Sequence, residues 1–456
     1  MPTSAEAPPG FAPRAGELWC EGVSVSALAE RFGTPLYVLS AGRLRANGRA
    51  LQHSFASHWR GGEVELLPAL KANFVLAVRQ CLNTEGFGCD VFGRHELEAA
   101  LRAGVPGERI SVNGSAKDRE LITAAIADGA SITLDSEREL DLAIEAAQGL
   151  ERRARVRLRL RPDHERLVEP SDFFPGMTIR DAAQLYKPGI EPSAALAIGR
   201  RALAHRAVEL TGLMTHLGRH SAAPRVWSEM ARGFGETVAA LCRAFAPWRP
   251  QALDIGGGFP SANDPTSPTQ APAAPLSAYA EAVCTGLEAA LRESGVDPRG
   301  IALQIEPGRS LFADAGLHLA RVRHVKHQTR PVERTWVELD TSEVFVPDLV
   351  WERAHFRPVF ASRLDAPATQ TVEIVGISCN FDLIAREVRA PRVEIGDLIA
   401  LMDTGAYQEA GASNFNLLAR PATVLIEGPR AQIVKRAETL DDVLARDCPW
   451  GKDPGP

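Results

Sequence analysis

The chain lacks the features that mark several large classes of protein. No apolar run approaches the roughly 18 residues that a membrane-spanning helix needs. The first residues, MPTSAEAPPGFAPRAGE, lack the charged and then apolar order of a signal peptide. Positive charge is in deficit, because 51 Lys and Arg stand against 57 Asp and Glu. Neither a membrane nor a nucleic acid is therefore expected as a partner, and a small-molecule role is the better prediction.

Cysteine is also poorly arranged for cross-links or for metal binding. The seven cysteines form no CxxC pair and leave one over, and the sequence has no HExxH motif or cluster of His and Cys. These patterns argue against a disulfide framework and against a zinc site. They predict reduced thiols in a cytoplasmic protein that has no resident metal.

What the chain does have is length and a regular alternation of elements. Its 456 residues, 45% hydrophobic and 24% charged, suffice for a barrel plus a smaller domain. Between residues 64 and 306, eight short apolar runs alternate with helix-period segments such as ELEAALRAG and RELDLAIEAAQ. The eight runs are VELLPAL, FGCDV, RISV, SITL, RVRLRL, LTGLMT, ALDI and ALQI. This alternation predicts an α/β protein with a (β/α)8 barrel.

Polar or glycine residues follow nearly every predicted strand. In (β/α)8 barrels the carboxyl ends of the strands share one rim, and that rim carries the chemistry. The residues at these ends are Lys71, Asp90, Asn113, Asp135, Arg159 with Arg161, His216, Gly256 and Glu306. Taken alone, Lys71 in PALKAN could also be an ordinary lysine, with its methylene groups packed along the rim and its ammonium group in water. The other strand ends favour a functional site instead.

Two glycine-containing motifs indicate a phosphate site on this rim. LDIGGGFP places Gly256, Gly257 and Gly258 after the seventh strand, where backbone N–H groups can form a nest for an anion. IEPGRSLF ends the eighth strand with Glu306 and adds Arg309, a good partner for phosphate. A triple glycine alone is equally compatible with a tight turn, but phosphate binding after strands seven and eight recurs in barrels.

A lysine, a phosphate clamp, a carboxylate and a histidine on one rim predict pyridoxal 5′-phosphate (PLP) as the cofactor. Lys71 would hold its aldehyde as a Schiff base. Glu306 would accept a hydrogen bond from the protonated ring nitrogen, and His216 could stack on the ring.

With these motifs the sequence resembles the fold-type III PLP-dependent decarboxylases of diaminopimelate, ornithine and arginine. The similarity runs through PLYVLS, PALKAN, GFGCDVFGRHELEAAL, LRLRPD, YKPGI, GLMTHLG, LDIGGGF, IEPGR, GISCNFD, GDLIALMDTGAY and SNFN. It implies an alanine racemase-like (β/α)8 barrel plus a C-terminal β-sandwich or β-barrel domain. The implied boundaries are 1–40 for an N-terminal segment that contributes to the β-domain, 41–315 for the barrel and 316–456 for the β-domain.

The resemblance also implies roles for single residues. Lys71 and His216 would be catalytic, together with Cys379, which resembles a cysteine lent by the partner subunit of a head-to-tail homodimer with shared active sites. The implied cofactor-binding residues are Lys71, Asp90, His216, Gly256, Gly257, Gly258, Glu306, Arg309 and Tyr407. Without the resemblance, Tyr407 could be a packing tyrosine and Cys379 a small buried thiol.

Departures from the family pattern concern the substrate. Diaminopimelate decarboxylases carry Cys-Glu-Ser/Thr before an aspartate, whereas SCNFD has Asn380 and Phe381 and is one residue shorter. Their RPALY appears here as VPDLV, so Val346 and Val350 replace an arginine and a tyrosine. These losses remove contacts to a distal carboxylate and predict an altered substrate pocket. The candidate substrate-binding residues are Arg219, Asp340, Val346, Asn380 and Asp382.

Two segments look like insertions. Residues 164–186 could fold over the site as a lid, and residues 261–275 are rich in Pro, Ala and Thr, which predicts a flexible surface loop. The expected function is α-decarboxylation of an amino-acid-like substrate, with release of CO2 and an amine, in a specialised biosynthetic pathway. A PLP-dependent racemase or aldolase-like lyase on the same fold, and a catalytically silent homologue that binds a partner protein, remain alternatives.

Overall fold

The computed structural model describes residues 10–162, 164–267, 272–448 and 450–451. They form two compact units. The barrel unit runs from Leu44 to Phe312, and the β-unit combines the residues up to Arg43 with those from Ala313 onwards. No helix in the described part of the chain is both long enough and apolar enough to cross a membrane.

The strands are, in chain order, β1 Phe11–Arg14, β2 Glu17–Cys20, β3 Val23–Ser24, β4 Leu36–Ser40, β5 Val64–Leu66, β6 Cys89–Val91, β7 Ile110–Val112, β8 Ser131–Leu134, β9 Ala154–Arg159, β10 Val208–Met214, β11 Ala252–Asp254, β12 Ala302–Ile305, β13 Gly316–Gln328, β14 Arg334–Leu339, β15 Pro358–Phe360, β16 Gln370–Val375, β17 Leu383–Ala390, β18 Leu398–Met402, β19 Ala422–Glu427 and β20 Arg430–Lys435. The helices are α1 Val25–Phe32, α2 Ala41–His58, α3 Leu76–Asn83, α4 Arg94–Arg102, α5 Arg119–Asp128, α6 Glu137–Gly149, α7 Ile179–Leu185, α8 Pro192–Ala204, α9 Pro224–Ala244, α10 Leu276–Glu293, α11 Arg309–Phe312, α12 Asp348–Trp351, α13 Gln408–Gly411 and α14 Leu440–Leu444. Short 3-10 helices cover Leu70–Ala72, Gly107–Arg109, Ala313–Ala315, Glu343–Phe345 and Phe415–Leu417.

The barrel unit is a parallel sheet of eight strands that curls into a cylinder. Its strands lie in the order β5-β12-β11-β10-β9-β8-β7-β6, and all the pairings are parallel. Backbone hydrogen bonds join the two end strands, from Gly88 N–H to Leu66 O at 2.9 Å and from Asp90 N–H to Pro68 O at 3.2 Å. The eight strands predicted from the sequence are confirmed, and so is the predicted fold class.

Local sequence signals set where the outer helices begin. The Asp118 side chain accepts a hydrogen bond from the Leu121 N–H at the start of α5, and Ser136 does the same for the Glu139 N–H at the start of α6. Proline stands at the first position of α8 and of α9, where its missing N–H costs nothing. These signals fix the first turns of the helices, while the parallel pairing of the strands brings all their carboxyl ends to the same rim.

The β-unit contains a sheet of nine strands and a small sheet of three. The path of the larger sheet is β17-β16-β14-β13-β4-β19-β20, with β18 paired to both β13 and β15. The amino-terminal strand β4 lies between β13 and β19, antiparallel to the first and parallel to the second. Two apolar clusters form its core, one around Leu317 and Val424 and the other around Val337 and Ile374.

The segment 261–275 differs from its prediction. Ser261, Asp264, Thr266 and Ser267 are buried, and the Asp264 carboxylate accepts hydrogen bonds from Thr266 N–H and Oγ1 at 3.0 and 2.5 Å. The expected surface loop is therefore wrong for most of residues 261–267, while residues 268–271 lie outside the described residues. Composition suggested exposure, but the Arg309 guanidinium, 3.8 Å from the Asp264 carboxylate, offsets part of the cost of burying it.

Candidate active site

Four side chains from separate strand ends of the barrel unit form one hydrogen-bonded network. Lys71 Nζ donates to Asp90 Oδ2 at 2.7 Å, and Asn113 Nδ2 donates to Asp90 Oδ1 at 2.8 Å. The same Asn113 amide also donates to Glu306 Oε1. Asp90 and Glu306 are only 3% and 4% exposed, whereas 45% of the Lys71 side chain is accessible. The two carboxyl groups of the network are thus buried, and the amine of Lys71 is its solvent-accessible end.

The local sequence explains the position of Lys71. It is the middle residue of the short 3-10 helix that follows β5, and its neighbours Leu70 and Ala72 are buried. With both neighbours held in the apolar interior, the lysine side chain turns outwards to the mouth of the barrel. Packing therefore places the amine where a ligand can reach it.

Three carboxyl groups, those of Asp90, Asp254 and Glu306, lie close together inside the barrel. Burial raises the pKa of Glu306 well above its usual value, and the carboxylates of Asp254 and Asp90 raise it further. Burial also raises the pKa of Asp254, against the influence of the Arg157 guanidinium at 3.0 Å and of a hydrogen bond from Glu306. Glu306 therefore keeps its proton to a higher pH than a solvent-exposed carboxyl group does.

Glu96 adds a further carboxyl group next to this network. Burial is the main cause that raises its pKa, and the Asp90 carboxylate contributes. Its Oε2 accepts the backbone N–H of Phe92 at 2.6 Å, which fixes the first turn of α4 beside the lysine.

His216 follows β10 and is neutral. Burial of the ring, then the positive charges of Arg159 and Lys71, lower its pKa to about 3. Its Nδ1 is buried and has no hydrogen-bond partner among the described residues. A Cβ atom placed on Gly256 would lie 2.9 Å from the imidazole ring, so the ring packs directly against the glycine loop. A flat, uncharged ring at this place is suited to stacking on another ring.

The glycine loop needs its glycines for two different reasons. Gly256 and Gly258 have φ of +69° and +94°, which side-chain-bearing residues rarely adopt. At Gly257 a Cβ would come within 2.1 Å of the Glu306 carbonyl oxygen, so the close approach itself excludes a side chain. The loop can therefore present its backbone N–H groups to an anion.

The surroundings of this loop fit a phosphate group. Arg309 begins α11 and is 7% exposed. The hydroxyl groups of Ser261 and Ser310 are buried and lack hydrogen-bond partners among the described residues. Buried donors without partners are costly, and a phosphate would satisfy them. The residues present therefore fit PLP. The glycine loop and Arg309 suit its phosphate, and the site also offers the neutral ring of His216, the buried carboxyl group of Glu306 and the accessible amine of Lys71.

The inserted segment 164–186 packs beside the same rim. The Tyr186 ring lies 6.3 Å from the His216 ring, and its hydroxyl is 3.4 Å from Arg159 Nη2. The Arg219 guanidinium lies 4.1 Å over the ring of Phe173. The segment is thus anchored against the loop that follows β10, and its last residue reaches the mouth of the barrel.

The other predicted residues belong to the β-unit. Cys379 is exposed, and its backbone N–H donates to Asn416 Oδ1 at 2.9 Å. Asn380 Nδ2 donates to Glu343 Oε1 at 2.9 Å. Tyr407 precedes α13 in a left-handed conformation, with φ of +68°. Their roles at a cofactor remain predictions.

Three candidate substrate residues are buried in the β-unit. Asp340 accepts hydrogen bonds from Thr34 Oγ1 at 2.6 Å and from the Arg321 N–H at 2.8 Å. Asp382 accepts the N–H groups of Glu343 and Ser378 at 2.6 and 2.7 Å. Val346 has no exposed surface and belongs to the apolar core. Each of them contributes to the structure of this unit, and a substrate contact remains a prediction.

Sequence reasoning missed Arg157 and Asp254, which lie below the rim. A signal for Arg157 was present in RVRLRL, because residues two apart on a strand point to the same face. Arg155, Arg157 and Arg159 therefore all face one side of β9, at successive heights in the barrel. Asp254 had no comparable signal, since an acidic residue in LDIGGG reads as part of the turn.

Residues 42–313 match the family described as pyridoxal-dependent decarboxylase, pyridoxal binding domain. The chain belongs to the pyridoxal-dependent decarboxylases. This family model covers more than half of the chain and the whole barrel unit. The predicted family and its PLP cofactor are thereby confirmed.

Relatives of this decarboxylase support the same assignment over nearly its whole length. The diaminopimelate decarboxylase of Actinosynnema pretiosum subsp. auranticum is 34% identical over 440 residues, which is 95% of this chain and 93% of the relative. That of Pseudomonas fluorescens is 32% identical over 445 residues, covering 95% and 97% of the two chains. The structure of diaminopimelate decarboxylase from Methanocaldococcus jannaschii in complex with L-lysine has a TM-score of 0.84 and 27% identity, covering 97% of this chain and 99% of that one.

The chemistry of this decarboxylase follows from what its residues can do. When bound, PLP supplies the electron sink that lets the bond between Cα and the α-carboxylate break, which releases CO2 and an amine. Lys71 presents its amine at the mouth, and Asp90 orients that amine through a 2.7 Å contact. The glycine loop and Arg309 would hold the phosphate, while Glu306 lies at the buried end of the site. The enzyme is thus a PLP-dependent carboxy-lyase.

Proposed function

We propose that this decarboxylase removes the α-carboxylate from an amino acid whose distal end is recognised differently from that of diaminopimelate. The observation that carries the proposal is the surface next to Cys379. Phe381 is fully exposed there, and Asn380 stands before it where the resembling enzymes carry acidic and hydroxyl side chains. Val350, in the position of their tyrosine, is 58% exposed.

The energetic argument concerns the distal carboxylate of diaminopimelate. A pocket without an arginine cannot compensate the desolvation of that carboxylate at the same place. One charge-assisted hydrogen bond contributes about 1.5–3 kcal/mol, so its loss lowers affinity roughly ten- to hundredfold. We expect a substrate whose distal end is uncharged, or is bound near the rim by Arg219 or by residues of the inserted segment such as Tyr186.

The test is CO2 release by the purified holoenzyme with a panel of amino acids. The panel contains meso-diaminopimelate, L-lysine, L-ornithine and L-arginine, together with citryl- and carrier-linked conjugates. Weak turnover of meso-diaminopimelate and preference for another member support the proposal. A kcat/KM of about 10⁴ M⁻¹s⁻¹ or more on meso-diaminopimelate would contradict the altered pocket and leave the decarboxylase assignment intact. Racemisation without CO2 release would instead favour the racemase alternative.

The proposal includes a homodimer in which Cys379 completes the site of the partner subunit. Support comes from exposed apolar side chains in the three segments 350–351, 377–381 and 415–417 of the β-unit, namely Val350, Trp351, Ile377, Phe381, Phe415 and Leu417. The hydrogen bond from Cys379 to Asn416 ties two of its loops together. Exposed apolar patches of this kind are typical of interfaces between proteins.

The compartment and the domain limits are part of the same proposal. All seven cysteines are free thiols, five of them buried, which supports the reducing cytoplasm as the place of action.

The match of residues 42–313 to the pyridoxal-binding domain supports 41–315 as the barrel domain. The segments 1–40 and 316–456 would then make up the β-domain.

A further inference from the structure

Arg157 is a buried cation in the middle of the barrel. It lies on β9 and is 2% exposed. Its Nη1 donates to Asp254 Oδ2 at 3.0 Å and to Gln304 Oε1, and its Nη2 donates to Ser111 Oγ. A buried guanidinium is costly unless it is paired, and this one is paired with a carboxylate that is itself fully buried. Such a group needs a reason beyond packing.

Asp254 connects Arg157 with two parts of the cofactor site. Its Oδ1 accepts the N–H of Gly256 at 2.9 Å, which is the first residue of the phosphate loop. It also accepts a hydrogen bond from the Glu306 carboxyl group. A continuous path of polar contacts therefore leads from Arg157 through Asp254 to Glu306.

We propose that Arg157 is a positioning residue that acts through Asp254, so that Glu306 can be ionised when it faces the ring nitrogen of PLP. This inference rests on the proposed role of Glu306 as the partner of that nitrogen. It goes beyond that role because it makes the ionisation of Glu306 depend on Arg157, a residue on the buried side of the site.

The physical reason is the balance of charges around Glu306. Burial disfavours a negative charge at Glu306 most, and Asp254 and Asp90 disfavour it further, whereas Lys71 and then Arg157 favour it. Lys71 serves the cofactor from the mouth of the barrel, so Arg157 is the counter-charge on the buried side. Without it, Asp254 would repel the Glu306 carboxylate more strongly, and Glu306 would keep its proton. A neutral carboxyl group binds a protonated nitrogen less well than a carboxylate does.

The experiment compares two ligands of the apo-protein. One is PLP, and the other is its deaza analogue, in which carbon replaces the ring nitrogen. Dissociation constants are measured by absorbance titration for the wild type and for Arg157→Met. We expect Arg157→Met to weaken PLP binding about tenfold, the effect of losing one favourable charge interaction of about 1.4 kcal/mol, and to leave binding of the deaza analogue unchanged.

The matched control is Arg155→Met. Arg155 lies two residues earlier on the same strand and is exposed, and its Nη1 donates to the Glu108 carbonyl oxygen at 3.4 Å. This variant should bind both ligands like the wild type. If Arg157→Met fails to fold, Arg157→Gln carries the test, since it keeps a donor but removes the charge.

Equal weakening of both ligands by Arg157→Met or Arg157→Gln would show a merely structural role and overturn the inference. Glu306→Gln separates this failure from a failure of the proposed function. If Glu306→Gln retains the full preference for PLP over the deaza analogue, Glu306 is not the partner of the ring nitrogen. If Glu306→Gln loses that preference and the Arg157 variants keep it, only the inference about Arg157 is wrong.

Discussion

Lys71 Nζ and Asp90 Oδ2 lie 2.7 Å apart across two neighbouring strand ends of the barrel, although 45% of the lysine side chain and only 3% of the aspartate side chain are exposed. An ion pair with one partner near water contributes little to folding stability. Its geometric effect is larger, because the Asp90 carboxylate is held by Asn113 at 2.8 Å and cannot follow the lysine. The pair therefore orients the amine at the mouth of the barrel.

The first prediction concerns this amine. Borohydride treatment of the PLP-loaded enzyme should bleach its visible absorbance and fix the pyridoxyl group on Lys71, as located by mass spectrometry of a digest. Lys71→Ala should show no fixed group but should still bind PLP through the glycine loop and Arg309. Lys187→Ala, which removes an exposed lysine near the same rim, is the control and should be labelled like the wild type. Labelling of a different lysine would refute the assignment.

The second prediction concerns the phosphate loop. Gly257→Ala should weaken PLP binding at least tenfold, because the new Cβ would lie 2.1 Å from the Glu306 carbonyl oxygen and push the loop out of place. The change is measured as the dissociation constant of PLP by absorbance titration. Gly149→Ala is the control, since a Cβ there meets nothing within 4 Å. Unchanged PLP affinity in Gly257→Ala would mean that the loop does not bind the phosphate.

The third prediction concerns acid stability. Burial and the neighbouring His164 lower the pKa of His220 to about 4. Between pH 6.5 and 4 the unfolded chain therefore binds a proton at this ring that the folded chain does not bind. Stability falls as the pH falls, by about 1.4 kcal/mol per pH unit for this group.

Denaturant unfolding between pH 7 and pH 4.5 tests this dependence. His220→Gln cannot take up this proton. Its free energy of unfolding should therefore fall less steeply with falling pH than that of the wild type, by about 1.4 kcal/mol per pH unit. His53→Gln, the same substitution at an exposed histidine, is measured beside it as the control. The same slope in His220→Gln and in the wild type would show that His220 is not kept neutral by the fold.

The fourth prediction concerns the proposed dimer. Lys71→Ala and Cys379→Ala should each be nearly inactive, and a mixture in equal amounts should regain roughly a quarter of the wild-type rate. In random exchange about half of the dimers are hybrids, and each hybrid has one site free of both changes. Cys448→Ala, at the other exposed cysteine, is the control and should stay active. A fully active monomer in light scattering and assay would rule the shared site out.

The sequence by itself determined the barrel and most of its rim. Alternating apolar runs and helix-period segments specify strand and helix through local periodicity, and parallel strands must present their carboxyl ends together. For this reason Lys71, Asp90 and Glu306 could be placed on one rim before any contact was known. The glycine loop could also be found, because only glycine tolerates its backbone conformation.

Tertiary structure alone decided the contacts and charge states within that rim. The hydrogen bond between Asn113 and Glu306 joins residues 193 positions apart, and no local pattern encodes such a pair. The burial of Asp264 reversed the prediction for its loop, because an arginine distant in sequence lies 3.8 Å away. The neutral state of His216 and the high pKa of Glu306 arise from desolvation and neighbouring charges. These depend on how completely the folded barrel excludes water, which residue types and spacing do not specify.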